Sequence, residues 1–422
     1  MPGPEPPARA AELMSMSQNG DEIIILDGVY KIFGPQPGGR AFDLLRSGMS
    51  KDEVQAETGH VVGLDDVTFT VHKGEVFVVM GLSGSGKSTA MRTVNKLIGI
   101  TAGSITVAGT DVQALEGSEL QAFRRTHMGM VFQHFALFPH RNVIDNVGYG
   151  LKVQGVGRDE RNQASMRALS LVGLGPYAYN MPSELSGGMQ QRVGLARALA
   201  SDPEILLMDE AFSALDPLIR RQMQDEMLEI QSELHKTILF ITHDLNEALR
   251  IGDRVCIMKD GAVVQVGTPT EILTEPATGY VAEFVQDVDQ GRVILVREVM
   301  LQPAPVTAGT TLASALAALG DRAGAFVVNE RGMPTAVLTA ADAVRAANEG
   351  ASDVAAALRT DFATCSDESS LNEVYALAGK GLPIACCDDS GALVGNLDPR
   401  LIMEEMGRVE SLSEKFEREV YM

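Results

Sequence analysis

The stretch GLSGSGKST, Gly81 to Thr89, has the residue types of a phosphate grip. It fits G-x-x-x-x-G-K-[ST] from Gly81 to Ser88, follows the apolar run EVFVVM and opens a helical pattern, which is the context the motif requires. Gly81, Ser83, Gly84, Ser85 and Gly86 allow backbone N–H groups to turn toward a phosphate. Lys87 brings charge to the β and γ oxygens, and Ser88, beside Thr89, offers a hydroxyl to Mg²⁺. A nucleoside triphosphate is the expected ligand.

The run EILLMDE delivers Asp209 and Glu210 to the end of an apolar strand. Two adjacent carboxylates there are costly unless a cation waits for them, and a helix cap is the competing reading of such a pair on its own. Beside the P-loop the expectation is that Asp209 holds Mg²⁺ through water and Glu210 polarises an attacking water. A second anion grip stands at ELSGGMQQR, Glu184 to Arg192, where Ser186, Gly187 and Gly188 open a helix with no lysine beside them. Ser186 is also a natural helix N-cap, and the two roles draw on the same orphan N–H groups.

Taken in order, the P-loop, Gln133 in VFQHFALFPH, LSGGMQQR, ILLMDE, SALD from Ser213 to Asp216, and ITHD with His243 resemble the ATP-binding cassette of ABC transporters over roughly two thirds of the chain. The resemblance implies an ATPase that uses ATP and Mg²⁺ and works as a head-to-tail dimer with a second copy of itself. It also implies that Ser186, Gly187, Gly188 and Gln190 complete the nucleotide site of the partner, which supplies the missing lysine. Gln133 would touch Mg²⁺ and the water, Asp216 would help form the dimer seam, and His243 would contact the γ-phosphate. Phe33, in YKIFG, resembles the aromatic that stacks on adenine. Tyr30 is close by, and either ring could instead be core.

The elements around these motifs alternate. Strand patterns at EIIILDGVYKIFG, LDDVTFTVHKGEVFVVMG, SITVAG, MGMVFQ, EILLMDE and TILFITH are interleaved with helical ones, so an α/β P-loop cassette with a mixed sheet and a helical subdomain near 134–200 is expected. RVCIMKDGAVVQVG reads as a hairpin turned at Lys259, Asp260 and Gly261. An insertion at 34–60 contains a short helix capped at Ser50 with Glu53 three residues on. The expected order is a tail over 1–20, the cassette over 21–285, a linker over 286–296, two similar α/β halves over 297–350 and 351–405, and a charged tail over 406–422.

That insertion, with EAFSALDPLIR and EALRIGDRV, resembles the ATP-binding subunits of glycine betaine/proline osmoprotectant importers, which also carry paired CBS modules after the cassette. The resemblance implies uptake of a quaternary-ammonium solute or proline through a transmembrane permease fed by an extracytoplasmic binding protein, with this subunit peripheral on the cytoplasmic face of the inner membrane. In the first half AVLTAAD, Thr339 and Asp342 match a CBS adenine-nucleotide site. The second half departs, with Asp398 where the hydroxyl belongs and Leu401 where the aspartate belongs, so a purely structural dimerisation module is the alternative. Importers of another small solute, such as an amino acid, choline or carnitine, remain open, as does a soluble ABC ATPase of DNA repair or the ribosome.

Composition narrows these choices. A net charge of -21 repels a nucleic-acid backbone, which argues against that partner. The region after Gly291 has roughly eight more acidic than basic residues, so a polybasic grip on anionic lipid is not expected. No apolar run reaches the eighteen or so residues of a membrane span, and the N-terminus lacks the apolar core of a signal peptide. Cys256, Cys365, Cys386 and Cys387 show neither zinc nor C-x-x-C spacing and are expected as reduced thiols.

Overall fold

The computed structural model describes residues 21–404 except 134, 287, 289, 290, 292, 304, 305, 307–309 and 321. The tails expected at 1–20 and 406–422, and parts of the linker, lie outside the described residues. The chain divides into two compact units: one contains 21–272 and 276–281, and the other contains 273–275 and everything described from Ala282 on.

The first unit opens with β1 (Glu22–Phe33), α1 (Arg40–Arg46), α2 (Lys51–Thr58) and β2 (Val61–His72). The insertion therefore holds two helices where one was expected. Ser50 and Glu53 form the reciprocal cap of α2, with Ser50 N–H donating to Glu53 Oε2 at 2.9 Å. An arrangement of that kind is worth about 1 kcal/mol. Ala41, Leu45 and Val54 cover Ile32 and Val62, fastening the insertion to the β1–β2 pair.

The chain continues through β3 (Val76–Met80), α3 (Lys87–Val94), β4 (Ala102–Val107), β5 (Thr110–Asp111), α4 (Gly117–His127) and β6 (Met128–Phe132). The helical part consists of α5 (Val143–Val147), α6 (Tyr149–Val153), α7 (Arg158–Leu171) and α8 (Gly187–Leu199). After it come β7 (Ile205–Asp209), α9 (Pro217–Leu234), β8 (Thr237–Thr242), α10 (Leu245–Ile251), β9 (Arg254–Lys259) and β10 (Ala262–Gly267). Met223 and Met227 of α9 are buried.

Two sheets result. One is antiparallel in the order β2-β1-β4-β5, and the other has the order β10-β9-β3-β8-β7-β6, parallel except for β10. The β9–β10 turn has Asp260 at φ 52° and Gly261 at φ 85°, the left-handed pair that a two-residue hairpin needs. Side chains of β1, β2 and β4 meet Phe77, Val79, Leu207, Leu239 and Ile241 in one core, and Ala90, Met91 and Val94 anchor α3 in it. Because β3, β6, β7 and β8 run parallel and in register, with Met80 opposite Thr242 and Phe132 opposite Asp209, everything that follows these strands emerges along one edge. In open parallel sheets that carboxyl edge is where ligands bind.

Helices α11 (Pro269–Thr274) and α12 (Gly279–Val285) carry the chain into the second unit. There α13 (Val296–Val299) and α14 (Leu312–Leu319) precede the antiparallel pair β11 (Gly324–Val328) and β12 (Pro334–Thr339), and α15 (Ala340–Asn348) follows. The second half is β13 (Ala363–Ser366), α16 (Leu371–Ala378), β14 (Ile384–Cys387) and β15 (Leu393–Leu397), with β13 parallel and β15 antiparallel to β14. Each half has its own core, and Phe326, Val337 and Ala385 join them. Thr339 is the last residue of β12 and Asp398 directly follows β15, and each accepts a bond from the following turn: Asp342 N–H at 3.1 Å and Arg400 N–H at 3.0 Å.

Candidate nucleotide site

The P-loop leaves β3 at Met80 and enters α3 at Lys87. Gly86 sits at φ 101°, and a Cβ there would lie 2.7 Å from the Gly63 carbonyl oxygen, so glycine is needed for the loop to pass so close to β2. Lys87 is 5% exposed, and its Nζ donates to the Gly81 and Leu82 carbonyls at 2.6 and 2.9 Å. Burial pulls its pKa down, and the nearby Glu210 and Asp209 carboxylates pull it back up. Ser85 Oγ is buried without a hydrogen-bond partner among the described residues, while Ser83 and Gly84 are exposed. A loop with an unpaired hydroxyl and a charged amine held among carbonyls is suited to exchange those contacts for phosphate oxygens.

Ser88 Oγ donates to Asp209 Oδ1 at 3.0 Å, and Arg92 Nη2 stands 3.5 Å from Asp209 Oδ2. A hydroxyl, a carboxylate and the nearby Gln133 amide form a set of hard oxygen donors, the chemistry that suits Mg²⁺.

Glu210 follows β7 directly. Its N–H donates to the Ile241 carbonyl at 3.0 Å, and it adopts φ 47°, a left-handed conformation costly for a residue with a side chain. Three side chains converge on this turn. Gln133 Nε2 donates to Glu210 Oε2 at 3.3 Å and to Ser213 Oγ at 3.1 Å, Ser213 Oγ donates to the Glu210 carbonyl at 2.9 Å, and His243 Nδ1 stands 3.3 Å from Glu210 Oε2. Residues that follow four different strands, β3, β6, β7 and β8, thus meet at one edge.

Ser186 caps α8 by accepting the Met189 N–H at 3.3 Å, and Gln190 Nε2 donates to the Leu185 carbonyl at 3.2 Å. Ser186 and Gly187 are exposed. Among the described residues no hydrogen bond or ion pair joins Ser186, Gly187 or Gly188 to the P-loop. Asp216 caps α9 through the Ile219 N–H at 3.1 Å and is exposed. Tyr30 packs edge-on against Phe42 of the insertion with centroids 5.2 Å apart, whereas Phe33 is 39% exposed beneath Lys31 Nζ, 4.9 Å from its centroid. Of the two rings, Phe33 is the one open to a ligand.

In the second unit Thr339 Oγ1 donates to Asp342 Oδ2 at 2.7 Å, and Arg345 Nη2 reaches Asp342 Oδ1 at 2.5 Å. Asp342 is 3% exposed. Both groups are therefore engaged with neighbours, and neither lines the cleft of about 590 Å³ bounded by Leu319, Arg322, Asp398 and Arg400. Cys256, Cys365, Cys386 and Cys387 are free thiols. Several contacts around this sheet edge carry no sequence signal: Ser213 as the rest for Gln133, Arg92 beside Asp209, and Arg197, whose guanidinium donates to the Phe135 and Ala136 carbonyls at 3.1 and 2.6 Å. A spacing of Arg220 four residues after Asp216 could have suggested a side chain folded back over the SALD turn.

Residues 64–213 match the family model for the ABC transporter. The chain is 45% identical over 388 residues to the glycine betaine transport ATP-binding protein OpuAA of Bacillus subtilis, covering 89% of this chain and 92% of that one. It is 44% identical over 388 residues to the glycine betaine/proline betaine transport system ATP-binding protein ProV of Salmonella typhimurium, covering 90% and 96%. Among solved structures, CbiO1 from Clostridium perfringens, part of the ABC transporter complex CbiONQ, aligns with TM-score 0.51 at 24% identity over 63% of this chain and 96% of that one, a likeness of fold. This chain belongs to the ATP-binding, ATP-hydrolysing subunits of ABC transporters, in the group of the glycine betaine transport ATP-binding proteins.

Proposed function

We propose that this subunit energises uptake of glycine betaine or a related quaternary-ammonium solute through a transmembrane permease, working as a head-to-tail dimer on the cytoplasmic face of the membrane and supplied by an extracytoplasmic binding protein. The observation that carries the solute class is the extent of the similarity: it runs over 388 residues, beyond the cassette and into the second unit. Among the described residues no helix is long and apolar enough to cross a membrane.

The geometry at the sheet edge supports the following roles. Backbone N–H groups from Gly81 to Gly86 and the Lys87 ammonium grip the β and γ phosphates, Ser85 Oγ gains a partner, and adenine stacks on Phe33. Ser88, Asp209 and Gln133 would hold Mg²⁺, which when bound neutralises charge on the β and γ oxygens. Glu210 takes the proton of the attacking water, and His243 contacts the γ-phosphate. Ser186 and Gly187, exposed at the start of α8, and the half-buried Gly188, which among the described residues have no bond to their own P-loop, meet the γ-phosphate of the second copy with Gln190 behind them, and Asp216 lies at the seam. ATP then acts through its preference for the closed dimer, and closure moves the Gln133 loop against the permease.

The second unit, over 297–350 and 351–405, is read as a pair of CBS modules. Thr339 and Asp342, the candidate adenine-nucleotide contacts, are bonded to each other, which favours a structural over a ligand-binding role in this half.

Reconstitution of the chain with its permease and binding protein tests the function. The expected result is ATP-dependent accumulation of labelled glycine betaine, competed by other betaines and not by ordinary amino acids. Uptake of an amino acid with no competition by betaines would overturn the solute assignment.

A further inference from the structure

Arg220 lies one turn into α9, and its guanidinium faces back over the turn that precedes the helix. Nε donates to the Phe212 carbonyl at 3.2 Å, and Nη2 donates to the Ser213 and Leu215 carbonyls at 3.3 and 3.1 Å. The remaining arm, Nη1, meets Asp244 Oδ2 at 3.4 Å. Three of its acceptors thus belong to the turn after β7, and the fourth follows His243 after β8.

Both ends of this bridge are fixed independently. Asp244 Oδ1 caps α10 through the Glu247 N–H at 3.2 Å, and Asp244 N–H donates to Thr242 Oγ1 at 3.0 Å. Glu247 is joined to α9 by the Gln224 amide at 2.9 Å, a buried contact. At the other end Ser213, whose carbonyl Arg220 holds, carries the hydroxyl that supports Gln133 and the Glu210 carbonyl. A planar five-donor fork can serve four acceptors in two loops, which a lysine cannot.

We propose that Arg220 is a positioning residue for hydrolysis, tying the loop of Glu210 and Ser213 to the turn of His243 so that base and histidine keep their 3.3 Å separation as one unit. The proposal rests on the reading of Glu210 and His243 as the hydrolytic pair. Without the fork the two loops keep the Glu210 N–H bond to Ile241 and the buried Gln224–Glu247 bond but lose the side-chain tie from the Ser213 turn to Asp244, and displacements of about 1 Å at reacting groups cost on the order of a hundredfold in rate.

Steady-state hydrolysis of Mg-ATP by the full chain tests it, with a double-mutant cycle. For Arg220→Ala we expect kcat to fall between about tenfold and a hundredfold while KM for ATP stays within about twofold. Arg220→Lys should fall between the two. Asp244→Asn, which retains a helix cap, should lower kcat less than Arg220→Ala, and the double variant should lose less than the product of the single losses. Turnover of Arg220→Ala within about threefold of wild type would overturn the proposal, as would KM rising in step with the loss of kcat, or single losses that simply multiply. If Arg220→Ala does not fold, the lysine and asparagine variants decide alone, and unchanged kcat in both overturns the role. Failure of the hydrolytic reading would show separately, as normal turnover by Glu210→Gln.

Discussion

Ser88 and Asp209 are 121 residues apart in the chain, and Ser88 Oγ donates to Asp209 Oδ1 at 3.0 Å. The bond joins the first turn of α3 to the last residue of β7 across a sheet in which β3 and β7 flank β8. Two oxygens at that spacing, one neutral and one anionic, can turn from each other to a shared cation and its water shell. Asp209→Asn keeps the shape but removes the charge. We expect it to lower the magnesium-dependent gain in ATP affinity by about 10- to 100-fold, the range for a group acting on a metal through water. Titration of ATP binding with and without Mg²⁺ checks this; an unchanged gain would remove Asp209 from the metal site.

Glu210 is held by its backbone bond to Ile241 and faces both Gln133 and His243. Glu210→Gln preserves the side-chain length and one acceptor while taking away the base. Hydrolysis should fall at least about a hundredfold with ATP still bound, because a general base contributes rate rather than ground-state affinity. Its ATP-saturated form should accumulate as a dimer, measured by sedimentation; near-normal turnover would show that another group takes the proton.

The motifs and the elements carrying them were legible because both depend on short-range signals. Turn chemistry at Asp260-Gly261, the cap at Ser50 and the strand-loop-helix context of Gly81 to Ser88 are written within a few residues of where they act. The unexpected features were long-range. Helix α1 lacks a side-chain cap and has only seven residues, so its stability comes from Ala41 and Leu45 packing on β1 and β2. Arg220, Arg197 and Arg92 carry no motif of their own, and their acceptors are backbone carbonyls or carboxylates that only the folded loops bring within reach. The choice between Tyr30 and Phe33 likewise turns on Phe42, twelve residues beyond Tyr30 on a helix that was not expected.

Gly81 sits at φ 148°, and a Cβ there would run into the Met258 carbonyl oxygen and lie 2.7 Å from Ser85 Oγ. The first obstacle is backbone of the adjacent strand β9, which cannot rotate away. Gly81→Ala should therefore lose stability even without nucleotide, by about 1 to 3 kcal/mol, through overpacking and backbone strain together. Urea unfolding of the nucleotide-free chain measures it. A change below about 0.5 kcal/mol would mean that β9 yields, and the loss of ATP binding could then be studied in a fully stable variant.

Glu75, just before β3, is 6% exposed, and burial pushes its pKa from 4.5 to about 7 despite the His72 N–H bond and the Arg254 guanidinium 3.4 Å away. The folded chain therefore keeps this proton over a range of pH in which the unfolded chain has released it. Its stabilising contribution is complete below about pH 4.5 and is lost as the pH rises through about 7, amounting to about 3 kcal/mol at most. Glu75→Gln is neutral in both states, retains an acceptor for the His72 N–H, and should flatten that slope. Against the variant, the wild type should lose stability between pH 5 and pH 7.5, measured by urea midpoints on the nucleotide-free chain. Arg254 provides the opposing control: its removal takes away a cation that favours the ionised carboxylate, so Arg254→Met should move the window to higher pH. If wild type and Glu75→Gln share one slope across the range, the carboxylate is already ionised in the folded state, and its pairing with Arg254 outweighs its burial.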